Sequence, residues 1–242
     1  MKHTGLSDPA LQLCRRSMHH SFLQEGRSVL DLEVQLPEAP GALFLNQYYR
    51  RFCRCLFRYC AERLIPVLPE DAQPLQLILE YRIRLLTASL LSLTLELHRR
   101  DLSTRPAAQF ASVWSRESGM LLTLRSFFPG CPFYRRRVNE WLRREALARL
   151  DSGYCLYDPA QAERAGRLFR AQNFYAAEKG LVQFFPALTL GSAAEGIPEF
   201  CLPWNSLSMG KLRLPHLPED SGNAILWHEQ VTGAAGTLPH DR

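Results

Sequence analysis

Hydrophobic and polar positions alternate in two long stretches of this 242-residue chain and recur at three- and four-residue steps in two others. From Ser28 onward, Leu30, Leu32, Val34 and Leu36 point one way and Asp31, Glu33 and Gln35 the other. That pattern predicts a half-buried strand ended by Pro37. Alternation returns at Leu77, Leu79, Tyr81, Ile83 and Leu85, and again at Leu91, Leu93, Leu95 and Leu97. The break at Thr87-Ala88 predicts two antiparallel strands, or a bend in one long strand. Between these stretches Leu45, Tyr48, Tyr49, Phe52, Cys53, Leu56, Cys60 and Leu64 share one face of a helix over residues 42–65, which Pro66 stops. Arg50, Arg51, Arg54, Arg58 and Arg63 lie mostly off that face.

A second helix, over 133–150, turns Tyr134, Val138, Trp141, Leu142 and Ala146 inward. Asp158-Pro159 forms an N-cap and first-position pair that opens a third, running to about Arg170. A short strand is expected at 110–114, followed by a Glu117-Ser118-Gly119 turn. Residues 173–207 read as a strand, a Lys179-Gly180 turn, a second strand, a loop of small residues from Gly191 to Gly196, and a third strand closed by Pro203. Together these elements predict an α+β fold: an antiparallel sheet of about six or seven strands with two or three helices packed on one face. Residues 1–26 read as a loose N-terminal arm, with a short helix near Asp8 to Met18. Residues 27–210 read as the folded domain, and the Pro-, Gly- and Ser-rich 211–242 as a flexible tail.

Charge changes this picture little. The net charge is +5, and of the 29 basic residues only Lys2, Lys179 and Lys211 are lysines. An excess of Arg beside Leu and Ala fits a GC-rich coding sequence. Nucleic-acid binding is the less favoured reading, because no reading motif accompanies the charge. Seven cysteines at irregular spacing include Cys53, Cys55 and Cys60. On a helix Cys55 points about 200° from Cys53. The three do not converge on a metal, so thiols are expected and no metal or cofactor is. With no secretory leader and no membrane span in the pattern, the expected location is cytoplasmic.

No phosphate-binding, dinucleotide-binding, zinc-protease or nucleophile-elbow motif occurs. Six of the seven histidines fall in the terminal arms, leaving His98 on a strand. His98 and Glu96 share a face and together have the makings of a general acid/base pair, although no nucleophile is placed beside them. A solvated strand end is the simpler reading. Candidate partner-binding residues are Arg135, Arg136, Arg143 and Arg144 on the second helix, Gly191 and Gly196 flanking the small-residue loop, and Trp204. The arginines suit an acidic partner. The competing readings are a solvated helix face and a turn that needs glycine.

The order of several segments carries a resemblance. Residues 30–37 lead into Asn46-Gln47-Tyr48-Tyr49, then Ala88-Ser89-Leu90-Leu91-Ser92-Leu93, then residues 119–128, Asn173-Phe174-Tyr175, residues 180–185 and Gly196-Ile197-Pro198-Glu199-Phe200. Over roughly 28–208 this set resembles a C-terminal domain of unknown function in bacterial envelope proteins. That domain forms the extracellular part of lysozyme-sensing, RsiV-like anti-sigma factors and accompanies some peptidoglycan deacetylases. The family commonly has a Gly- and His-containing turn where this chain has Asp101 to Ala108 without either residue. The resemblance therefore implies a fold, with lysozyme as a remote candidate partner. The function expected is a non-enzymatic protein-binding or interaction module. The alternatives are an envelope or sporulation protein recognising lysozyme or peptidoglycan, and a hydrolase-like enzyme built on His98 and nearby carboxylates.

Overall fold

The computed structural model describes residues 11–69, 73–101 and 105–204. The expected tail at 211–242 lies outside the described residues, as does the start of the expected N-terminal helix. Two sheets form the body. The larger contains β1 (Cys14–Gln24), β2 (Arg27–Glu38), β3 (Leu75–Leu86), β4 (Leu90–Arg99), β5 (Ala108–Ser115) and β6 (Leu121–Leu122), ordered in space as in the chain. The smaller is a three-stranded antiparallel meander of β7 (Phe174–Ala177), β8 (Gly180–Phe184) and β9 (Glu199–Pro203).

The larger sheet is mixed, which corrects the expectation of a purely antiparallel one. β2 and β3 run parallel, pairing Leu30 with Leu75 through Val34 with Leu79. The physical reason is the helix between them. Parallel neighbours need a crossover connection, and α1 (Leu43–Tyr59) supplies it. A second difference lies at the N-terminus, where Cys14–Gln24 is an edge strand paired with β2 instead of a loose arm. Its polar residues hide the alternation, because His20 acts as an apolar position. Its ring stacks on Phe57 at 5.0 Å and meets Phe22 edge-on at 4.5 Å.

Helices lie on both sides of the larger sheet, not on one. α1 covers the face carrying Leu30, Leu32, Val34, Leu79, Leu91 and Leu93, all buried with its own Leu45, Tyr49 and Leu56. The opposite face of β4 carries Ser92, Thr94 and Glu96, at most 4% exposed, because the smaller sheet lies against it. There Ala176 N–H donates to Ser92 Oγ at 2.9 Å. Beyond the smaller sheet, α2 (Tyr134–Asp151) buries the five residues that its sequence assigns inward, among them Trp141 and Leu142. The third predicted helix starts at its N-cap, with Asp158 accepting from Gln161 N–H at 2.9 Å. It divides into α3 (Pro159–Glu163) and α4 (Ala165–Leu168).

α1 is anchored on the sheet by one buried polar contact. Tyr49 Oη lies 2.6 Å from Ser112 Oγ, which also accepts from Trp114 Nε1 at 3.0 Å. Burial pushes the Tyr49 phenol well above its ordinary pKa. Ser112→Ala strands both aromatic polar groups in an apolar setting, for an expected loss of about 2 kcal/mol in urea unfolding. A loss below about 0.5 kcal/mol would mean that neither group depends on the hydroxyl.

Candidate functional site

After Tyr59 the helix widens into a π turn, Cys60–Leu64, and then tightens into a 3-10 turn, Ile65–Val67. π turns of this kind mark functional sites more often than chance. Here Pro66, Pro69 and Pro74 keep the chain from settling back onto the sheet as helix. A cleft of about 1160 Å³ opens between the C-terminal half of α1 and the ends of β3, β4 and β5. Phe52, Leu56 and Tyr59 form the helix wall, and Leu77, Leu97 and Phe110 the sheet wall. Phe52 and Phe110 meet edge to face at 5.0 Å. Leu56 and Leu77 are the recessed floor, 7% and 4% exposed, while Tyr59 at 57% and Phe110 at 37% stand at the lip. Charge enters at one end. Arg99 grips Asp101 through two bonds of 3.2 and 2.8 Å, and Arg100 reaches Glu33 at 3.3 Å.

A second constellation lies on the other face of the sheet. Glu96 accepts from Arg82 at 2.9 Å and from Arg84 at 2.5 Å, and His98 Nε2 stands 3.6 Å from the same carboxylate. Arg82 and Arg84 are two residues apart on β3 and so share the face of Glu96, next to a β-bulge between Ile83 and Leu85. Arg84 also lies over the Tyr175 ring, 5.0 Å from its centroid. Tyr175 donates to Glu199 at 3.0 Å, and Gln109 Nε2 donates to that carboxylate at 2.9 Å. Burial raises the Tyr175 phenol pKa, and the Glu199 carboxylate adds to the shift. These groups form a polar seam joining the two sheets. The solvated strand end expected for His98 is a correction here: its side chain is 14% exposed. Its carboxylate neighbour is held by two arginines, so Glu96 serves as their counter-ion.

The candidate residues read from sequence fall in three separate places. Arg135, Arg136, Arg143 and Arg144 are exposed on α2. Arg136 pairs with Glu140 at 2.9 Å, Arg143 with Glu163, and Arg135 Nε donates to the Tyr134 hydroxyl at 3.3 Å. Gly191 does meet a backbone closely, but it is the chain's own: a side chain there would run into the Leu156 carbonyl. Glu195 accepts from Leu156 N–H at 2.7 Å, and Arg105 donates to Ala194 O. Gly196 sits at φ 74°, in the region that favours glycine. Trp204 Nε1 donates to the carbonyls of Ala177 and Glu178, each at 3.0 Å, so it fastens the β7–β8 turn. Sequence reading assigned Phe52 and Leu56 to the core stripe and missed the cleft beside them. The proline cluster after α1 was the available signal.

No family model matches the chain, and no curated protein is similar enough in sequence to match. Solved structures do share its fold. A DUF3298 family protein from Pseudomonas aeruginosa PAO1 superposes with a TM-score of 0.55 at 14% identity, over 87% of this chain and 97% of that one. A member of the same family from Bacteroides fragilis gives 0.54 at 14% identity, over 84% and 92%. At that identity the likeness is one of fold.

Proposed function

We propose that this protein is a non-enzymatic binding module and that its ligand enters the apolar cleft at the end of α1. The observation that carries the reading is the cleft itself: about 1160 Å³, walled by Phe52, Leu56, Tyr59, Leu77, Leu97 and Phe110, with its charged lining residues, Arg99, Arg100 and Asp101, together at one end. Binding sites for organic groups are typically concave, mostly apolar and supplied with a few polar groups that fix orientation. The inter-sheet seam suits a structural role, since Glu96 is committed to Arg82 and Arg84.

Titration with Nile red, a neutral dye that brightens in apolar surroundings, tests the site. The expected result is saturation at one dye per chain. Phe110→Glu, at a partly exposed position on the lip, is expected to weaken dye binding about tenfold or more while leaving the circular dichroism unchanged. An unchanged affinity in that variant removes the cleft as the binding site.

A further inference from the structure

α1 carries Arg50, Arg51, Arg54 and Arg58 and no acidic residue over Leu43–Tyr59. Among the described residues Arg50 is ion-paired with Glu38 at 3.0 Å, and Arg51, Arg54 and Arg58 point into solvent. Their placement relative to the cleft follows from helix spacing. Residues three and four apart are surface neighbours, so Arg51 and Arg58 flank Cys55, which lines the cleft. Arg54 adjoins both. Phe44, 53% exposed, lies two turns before Arg51 on the same stripe. The helix wall of the cleft is thus edged by Arg51 and Arg58, neither of them ion-paired among the described residues, with Glu62 one turn beyond Arg58; Arg54 lies about 200° from Leu56, on the far side of the helix.

We infer that the occupant is an acidic amphipathic helical segment of a partner protein, its apolar residues in the cleft and its carboxylates on Arg51 and Arg58. This deepens the binding-module reading and rests on it. Two observations favour a helix. Two turns of one, roughly 10 Å across and 11 Å long, fill on the order of 900 Å³, which the cleft accommodates. The recessed floor at Leu56 and Leu77 is reached by a convex element, whereas a flat anionic membrane would meet only the lip. Arginine suits the role because its planar fork binds carboxylate through two parallel bonds.

The test uses the full chain and two fluorescein-labelled synthetic peptides of about 18 residues with Leu at i, i+3, i+4, i+7 spacing. One carries Glu at the remaining positions and the other Lys. Anisotropy is expected to show saturable binding of the Glu peptide, weakening as salt rises, with the Lys peptide weaker by about tenfold or more. The double variant Arg51→Gln/Arg58→Gln is expected to lose about tenfold for the Glu peptide and keep its affinity for Nile red. Equal binding of the two peptides overturns the inference, as does a double variant of unchanged affinity. Displacement of the peptide by vesicles of anionic phospholipid would assign the arginines to a membrane, and a sedimenting dimer that excludes the peptide would assign the face to a second copy. Either result overturns it too. Failure of both peptides while Nile red still binds sinks the acidic helix alone; failure of the dye as well sinks the binding module.

Discussion

Glu96→Ala is expected to destabilise the protein by about 3 kcal/mol, the low end of the range for breaking a buried ion pair. The carboxylate is 5% exposed and is shared by Arg82 and Arg84, with His98 beside it. Its removal leaves two cations facing each other without a counter-ion. Arg82, at 54% exposure, can turn to water, but Arg84 at 28% is held over Tyr175 and cannot do so freely. That difference places the expected loss at the lower end. For a domain of this size about 3 kcal/mol lowers Tm by roughly 6–12 °C. Glu96→Gln keeps the volume and one acceptor oxygen, and its loss is expected to be about half as large. Calorimetry of both variants decides the matter: losses within about 1 kcal/mol of wild type would show that the seam adds little stability.

Phe200→Ala has the other large effect, about 4 kcal/mol, from lost burial and the cavity left behind. Phe200 is fully buried at the junction of several elements. Phe185 meets it edge-on at 5.6 Å and Trp141 at 6.5 Å, Tyr157 lies at 6.2 Å, and the Arg149 guanidinium sits 4.2 Å from the ring centroid. It therefore joins α2 to the smaller sheet. The aromatic neighbours cannot close around the gap without giving up their own geometry. This core is distinct from the one beneath α1. Below its unfolding transition the variant is expected to bind Nile red with wild-type affinity. Lost dye binding in a folded Phe200→Ala protein would mean that the cleft depends on the second core.

Much of the architecture was legible in the sequence because the hydrophobic periods are long and clean. The β2, β3 and β4 alternations, the inward residues of α2 and the Asp158-Pro159 cap all correspond to the folded elements. Three features were not legible, each for a physical reason. β1 is an edge strand whose apolar side includes a histidine, so its alternation reads as polar. The polar face of β4 looks like a solvent face, yet the smaller sheet covers it and Ser92, Thr94 and Glu96 find partners within the protein. The cleft arises where a wall of core-type residues loses its cover. Phe52 and Leu56 carry the same pattern whether a neighbour sits on them or not. Among the earlier site candidates, Gly191 and Trp204 make tertiary contacts that sequence spacing alone does not reveal.

The matching order of strands in chain and sheet has a consequence for how the protein is made. Each strand of the larger sheet pairs with one that has already left the ribosome, so no strand waits for a distant partner. The sheet can grow by successive addition from β1 toward β6, with α1 closing over its first face before β4 emerges. Part of the face that the smaller sheet later covers is the charged seam: Arg82, Arg84 and Glu96 are complete as a triad once β4 is made, and water serves as their cover until Tyr175 and Glu199 arrive. A charged surface at the half-built stage keeps neighbouring nascent chains apart where an apolar one would invite them to associate.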